Sequence, residues 1–255
     1  MLSVANSSSA VITFQDQERL PVVSRELFDS VDIRLGTAID VKINSKVRVP
    51  SFRLVMDFGS GFEDLKQSSA QLQDNYYCGR DEIVENAADG RAKSMLTGQQ
   101  IAAVTNFPKR SVGIPSFFLT LGVVSLTDEQ TGTVVLKPLI PCTNGVQVQL
   151  LNNPHSWQIA PRKRQVEYAD TFHHLDIRLG TVVDVVEKIV DFGQELGLFR
   201  YRGDYPLVTN GVQLLRVTNL GEIIEEDNFL GVVNERNEKI PLTVERTLPN
   251  GRFLK

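Results

Sequence analysis

The segment DSVDIRLGTAIDV at residues 29–41 returns nearly letter for letter as HHLDIRLGTVVDV at residues 173–185, 144 positions later. Solenoid and propeller units recur every ~20–50 residues, so this spacing excludes a repeat array and implies two homologous domains in tandem. Further matches keep the same order. Asp57-Phe58-Gly59 returns as Asp191-Phe192-Gly193, Val104-Thr105-Asn106 as Val217-Thr218-Asn219, Leu121-Gly122-Val123-Val124 as Leu230-Gly231-Val232-Val233, and Asn144-Gly145 as Asn250-Gly251. The separation shrinks from 144 to 106, so the second copy has lost 38 residues. The 255 residues then divide into a Ser-rich, disordered leader at 1–24, a first domain at 25–150, a polar linker at 151–170 broken by Pro154 and Pro161, and a degenerate second domain at 171–255.

Within the repeated segment Ile33, Leu35, Thr37, Ile39 and Val41 alternate with Asp32, Arg34, Gly36 and Asp40. A period of two predicts a half-buried strand with the first set inward. Gly36 in mid-strand marks a bulge or barrel corner. The second copy repeats the pattern, with Ile177, Leu179, Thr181, Val183 and Val185 inward and Gly180 at the bend. Further strands are predicted over 52–58, 100–106, 117–124 and 133–136, and a helix over 81–96 with Gly98 as its stop. Ser24 and Asp170-Thr171 open short capped turns ahead of each domain. About five strands per domain, with a helix between the third and fourth, fit a small closed Greek-key barrel. The expected fold class is all-β: two tandem OB-fold five-stranded barrels with short helices.

Composition excludes several functions. No apolar run approaches the ~20 residues a membrane helix needs, and the start of the chain lacks the basic and apolar regions of a secretory signal. Cys78 and Cys142 have no metal spacing, which fits a reduced, cytoplasmic protein. The net charge is −4, and neither half is basic: residues 25–150 carry 13 basic and 14 acidic groups, residues 151–255 carry 13 and 15. Any phosphate-binding surface must therefore be a local patch.

The opening Phe28 and Val31-Asp32-Ile33-Arg34-Leu35-Gly36-Thr37 resemble the signature of the tRNA-binding-domain family. Arg48-Val49-Pro50, Leu54 to Gly59, Lys66-Gln67-Ser68-Ser69-Ala70-Gln71 and Asn106-Phe107-Pro108-Lys109-Arg110, with Gly113 and Ser116, are similar to the small CsaA proteins within it. Residues 77–92 look like an insertion, and the second domain resembles the family clearly only over 172–185. The resemblance implies OB-folds that pair as symmetric dimers, that bind tRNA by shape and, for CsaA, that handle exported polypeptides.

On this footing the first domain holds the candidate nucleic-acid site. Lys109 and Arg110 follow a strand end and Pro108, displayed for phosphate; Gly113 would let the backbone approach a ligand, and Ser116 could bond phosphate or a 2′-hydroxyl. Lys66, Gln67, Ser68 and Ser69 offer one cation and three neutral hydrogen-bonding groups, and Asn106 stands beside them in the motif. Arg34 either reaches ligand or forms a barrel-rim ion pair with Asp32, as Arg178 would with Asp176. Trp157, close to Arg162-Lys163-Arg164, is expected to pin the linker onto a barrel rather than stack on a base.

The second domain keeps neither element. Where the first has Pro-Lys-Arg it has Glu222, Glu225, Glu226 and Asp227, an acidic loop that repels phosphate. Asp57-Phe58-Gly59 lacks every companion of a kinase metal triplet and reads as a strand ending at a glycine turn. His155, His173 and His174 have no ligand spacing, and no P-loop, dinucleotide fingerprint or nucleophile elbow is present. The expectation is a protein that is not an enzyme and takes no cofactor. Its partner is tRNA or another structured RNA, with unfolded polypeptide or an assembly role as the alternatives. The two domains are expected to dock as an intramolecular pseudo-dimer.

Overall fold

The computed structural model describes residues 20–47, 51–72, 76, 93–124, 133–221 and 227–254. The first half contributes α1 (Arg25–Ser30), β1 (Ile33–Ile43), β2 (Phe52–Asp57), β3 (Ser68–Ala70), β4 (Gln100–Val104), the hairpin β5 (Arg110–Val112) and β6 (Ile114–Ser116), β7 (Leu119–Thr120), β8 (Gly122–Val124), β9 (Thr133–Pro138) and β10 (Gln149–Leu150). The second contributes a 3-10 turn (Phe172–His174), β11 (Ile177–Asp184), β12 (Ile189–Asp191), β13 (Leu198–Arg200), β14 (Gln213–Val217), β15 (Leu230–Val233) and β16 (Lys239–Val244). The architecture is all-β, two OB-like barrels with short helical pieces. No helix among the described residues is long and apolar enough to cross a membrane.

The long repeated strand organises each barrel in the same way. β1 runs against β4 from Ile33↔Val104 to Thr37↔Gln100, and β11 against β14 from Ile177↔Val217 to Thr181↔Gln213. A bulge then shifts the register, between Ala38 and Asp40 in one and between Val182 and Asp184 in the other. Gly36 and Gly180 make the bend possible. A Cβ on Gly36 would sit 2.7 Å from the Phe58 ring, and one on Gly180 would sit 2.7 Å from the Phe192 ring. The recurring Asp-Phe-Gly is thus a strand end whose ring lies over the bend glycine.

The bulge corrects the simple alternation. Ile39 and Val183 were expected inward, yet they are 55% and 48% exposed. The bulged residue is left unpaired, and the phase of the strand changes past it. Ile33 and Leu35 therefore pack into one core and Ala38 and Val41 into another.

The larger core belongs to both halves. Ile33, Leu35, Val134 and Leu136 pack in one cluster with Ile177, Leu179, Ile240 and Leu242. β9 pairs with β16 through Leu136↔Val244, Lys137↔Thr243 and Pro138↔Leu242, so one five-stranded sheet, β10-β15-β16-β9-β8, crosses the seam. Each large apolar side chain fully buried there contributes about 1.5–3 kcal/mol, which makes the seam a core and not a loose interdomain contact.

The halves also exchange their ends. Past the first barrel Val148 follows β1, donating to Ile33 O, and then Gln149 and Leu150 pair with Gly231 and Leu230 of β15. Past the second, Leu254 donates to Ile177 O and bridges to Val123 of β8. Ahead of the first barrel Val23 N bonds Asn219 O of the second (2.9 Å), and ahead of the second barrel Val166 N bonds Asn106 O of the first (3.0 Å). Residues 151–170 are therefore a strap laid across the first barrel, not a free linker.

Local expectations need adjustment in three places. Strand 117–124 is broken at Leu121 into β7 and β8, and the hairpin β5–β6 precedes it unforeseen. Residues 93–96 are helical and end before Gly98 (φ 83°), while the start of the expected helix over 81–96 and the insertion at 77–92 lie outside the described residues. Neither Ser24 nor Thr171 makes a side-chain cap bond; the Thr171 hydroxyl donates back to Glu167 O at 2.7 Å.

Candidate nucleic-acid interface

Four of the nine residues expected to touch nucleic acid are spent inside the first barrel. Arg34 is wholly buried. Its Nε donates to Asp32 Oδ1 (2.6 Å), its Nη1 to Gly145 O (2.9 Å) and Ala160 O (3.0 Å), and its Nη2 to Pro161 O (2.9 Å). It is the ion pair foreseen as the alternative, with the strap as an added partner. Asn106 is buried too. Its Oδ1 accepts from Asp32 N, and its Nδ2 donates to Ser30 O and Arg164 O. Ser68 donates to Phe118 O (2.6 Å), and Ser116 Oγ accepts from Ser69 N (3.0 Å), both buried. A buried polar group already paired offers a ligand nothing without unfolding its surroundings.

Ser69 and Gln67 are intermediate cases. The Ser69 hydroxyl is shared with Asn44 (2.9 Å) and Ser51 (2.8 Å), while Gln67 Nε2 donates to Pro115 O at 3.2 Å from the surface. Gly113 does approach backbone closely, but the backbone is the chain's own: a Cβ there would lie 2.8 Å from Lys46 O. Its φ of 70° turns the β5–β6 hairpin.

Lys66, Lys109 and Arg110 remain exposed. Lys109 Nζ lies 4.8 Å above the Phe117 ring, and Arg110 Cζ lies 5.7 Å above the Tyr168 ring of the strap. Such contacts fix the direction of a long cationic side chain at little cost in accessibility. Beside them opens a cavity of about 250 Å³, lined among others by Asp64, Phe107, Lys109, Phe117, Arg162 and Lys163. Arg162 stacks over Phe62 (5.6 Å) while its Nη1 donates to both oxygens of Asp64 (2.8 and 2.9 Å). Lys163 Nζ donates to Val31 O (2.9 Å). Burial pushes the Lys163 ammonium below its ordinary range, against the opposing pull of Asp32 and Asp29.

The strap cations were not among the expected site residues. Their run, Arg162-Lys163-Arg164, is plain in the sequence, but only the clasp of Asn106 on Arg164 O and Val166 N brings it to the Lys109 loop. Trp157, as expected, packs against the shared core, its backbone N–H bonded to Asn237 Oδ1.

The second barrel builds nothing comparable at the matching place. Asn219 repeats Asn106, accepting from Asp176 N and donating to Pro21 O and His174 O. Glu222, Glu225 and Glu226 lie outside the described residues. Asp227 was expected to face solvent and repel phosphate, yet it is buried, accepting from Arg202 N (2.8 Å), Gly203 N (2.6 Å) and the Tyr205 hydroxyl (3.0 Å). Burial, with the nearby Asp227 charge, drives the Tyr205 pKa far up. Arg216, stacked 3.9 Å over Phe199, is lowered to about 10 by burial, Asp227 opposing. Among the described residues no group of His, Cys, Asp and Glu could hold a metal ion.

No family model matches the chain. Solved structures do resemble it. Chaperone CsaA from Bacillus anthracis strain Ames is 34% identical over 49% of this chain and 96% of that one, with a TM-score of 0.37. The CsaA chaperone protein from Picrophilus torridus is 23% identical over 49% and 97%, with a TM-score of 0.37. The C-terminal domain of Plasmodium vivax p43 is 12% identical over 89% and 97%, with a TM-score of 0.44.

Proposed function

The chain belongs to the CsaA family, the likeness covering about half of it, and from that premise we propose that it is a non-catalytic binder of structured RNA, tRNA above all, acting through its first barrel. One observation carries this reading. Lys66, Lys109, Arg110, Arg162, Lys163 and Arg164 come from three separate segments to line or adjoin one cavity in a chain whose net charge is −4. Cations gathered on one face of an acidic protein attract a polyanion locally, although the chain as a whole repels one.

The repeated barrels are then a tandem duplication. One copy kept the ligand face while the other became its in-chain partner, a pseudo-dimer that leaves the protein monomeric in solution. The seam between β9 and β16 and the exchanged ends support this.

A second reading is chaperone-like binding of unfolded polypeptide. The Bacillus anthracis relative is described as a chaperone, and Val183, Val186, Leu198 and Leu207 of the second barrel are exposed apolar side chains. Salt separates the two. With about four phosphate contacts, affinity for total tRNA should fall on the order of 10²-fold between about 50 and about 200 mM salt. Binding of a permanently unfolded polypeptide through apolar surface should change little. Salt-insensitive polypeptide binding with no tRNA binding would replace the RNA reading by the chaperone one.

A further inference from the structure

We propose that the strap is itself part of the ligand site: Arg162 and Lys163 join Lys109 around the cavity to cradle a phosphate of the RNA backbone, with Asp64 holding Arg162 in reserve until that phosphate arrives. The inference rests on the RNA-binding reading and adds a second chain segment and a built-in competitor to it.

Three observations support the cradle. First, the cavity lies between the Lys109 loop and the strap, so its cations come from both sides, Lys109 from one and Arg162 and Lys163 from the other. Second, the cations are positioned before any ligand binds. The Phe117 ring lies under Lys109, the Phe62 ring under Arg162, and the Val31 carbonyl holds Lys163. Third, their charge is poorly answered by the protein. The carboxylate closest to Lys163, Asp32, is wholly buried and committed to Arg34. Its pull leaves the Lys163 ammonium lowered by burial all the same. An incoming phosphate would supply the missing countercharge and bring that pKa back up.

Asp64 is the exception and the regulator. Its carboxylate is 63% exposed and pairs with Arg162, which is 37% exposed. An ion pair in that setting is weak and easily exchanged, so Arg162 can leave Asp64 for a phosphate, which guanidinium binds more strongly. Free protein keeps the strap closed on Asp64; bound protein keeps it closed on ligand.

The test uses the full chain and total tRNA, with heparin as a polyanion of another chemistry. Arg162→Ala with Lys163→Met should lower the slope of log affinity against log salt by about 1.4, two contacts at ~0.7 each. Asp64→Asn should do the opposite and tighten tRNA binding about fourfold, the repulsion of one carboxylate at ~5 Å in water. A gain of affinity cannot come from a damaged fold, so Asp64→Asn guards against misfolding of the double variant. The cradle is overturned if both changes leave tRNA affinity and slope untouched while Lys109→Ala with Arg110→Ala weakens binding. The strap would then be packing only, and the RNA reading would survive. Equal effects of the variants on tRNA and heparin at matched charge would overturn the phosphate cradle in favour of diffuse attraction. Wild-type protein that binds no tRNA at any salt would overturn both readings together.

Discussion

Asn106 and Asn219 do the same work in their two barrels, and the chain that follows them does not. Each bonds the start of its long strand, the turn before it and the arm of the opposite half. After Asn106 the chain displays Lys109 and Arg110 and turns back through a hairpin over the strap. After Asn219 the described chain resumes at Asp227, which is drawn inward to tie down residues 202 and 203 and Tyr205. The lesson is that the two halves share a clasp, a bend and a seam, while ligand chemistry sits in what hangs from the clasp. A barrel can lose that loop and keep every contact that makes it a partner.

The comparison breaks most severely at the buried ion pairs. Arg34→Ala should cost about 3–5 kcal/mol by leaving Asp32 buried and uncompensated. Arg178→Ala should cost about 1–3 kcal/mol less, because Arg178 lacks the two strap carbonyls that Arg34 holds. Equal denaturant midpoints for the two variants would mean that the strap adds nothing. Asp227→Ala comes next, at about 2–3 kcal/mol, since it strips a buried acceptor from three donors. It should leave tRNA affinity unchanged; a clear rise in affinity would restore the view of Asp227 as a charge that repels ligand.

Smaller effects fall on the ligand face. Lys109→Ala with Arg110→Ala should reduce the salt slope for tRNA by roughly 1.4–1.8, two contacts at ~0.7–0.9 each. Thermal unfolding should barely move, because both side chains are exposed. Gln67→Ala should be the mildest. Losing the Pro115 bond costs about 1 kcal/mol at most, and a larger loss of tRNA than of duplex DNA would give Gln67 a reading role beyond that bond.

Much of this was legible in the sequence, and the parts that were not share a cause. The period of two, the bend at Gly36 and the Asp-Phe-Gly strand end follow from local rules, and the structure realises them at the expected residues. Ile39 misled because a bulge changes the phase of a strand without changing its composition. Ser68, Asn106 and Ser116 misled in another way. A motif of small polar residues looks the same whether it serves a ligand or closes a barrel, and only their saturated hydrogen bonds decide. Arg162 and Lys163 were hidden because their neighbours at the cavity are far away in the chain. Prolines 154 and 161 read as signs of a loose linker, although a segment without N–H donors at those points can still be held by carbonyls, as Arg34 holds Pro161 O.

The central claim is that one barrel binds RNA and the other is its partner within the same chain. Light scattering of the protein alone and saturated with tRNA measures this directly. The account predicts a free mass of 28.5 kDa, one chain, and a complex of one chain with one tRNA. A free mass of twice that value, or two tRNA molecules on each chain, would contradict it.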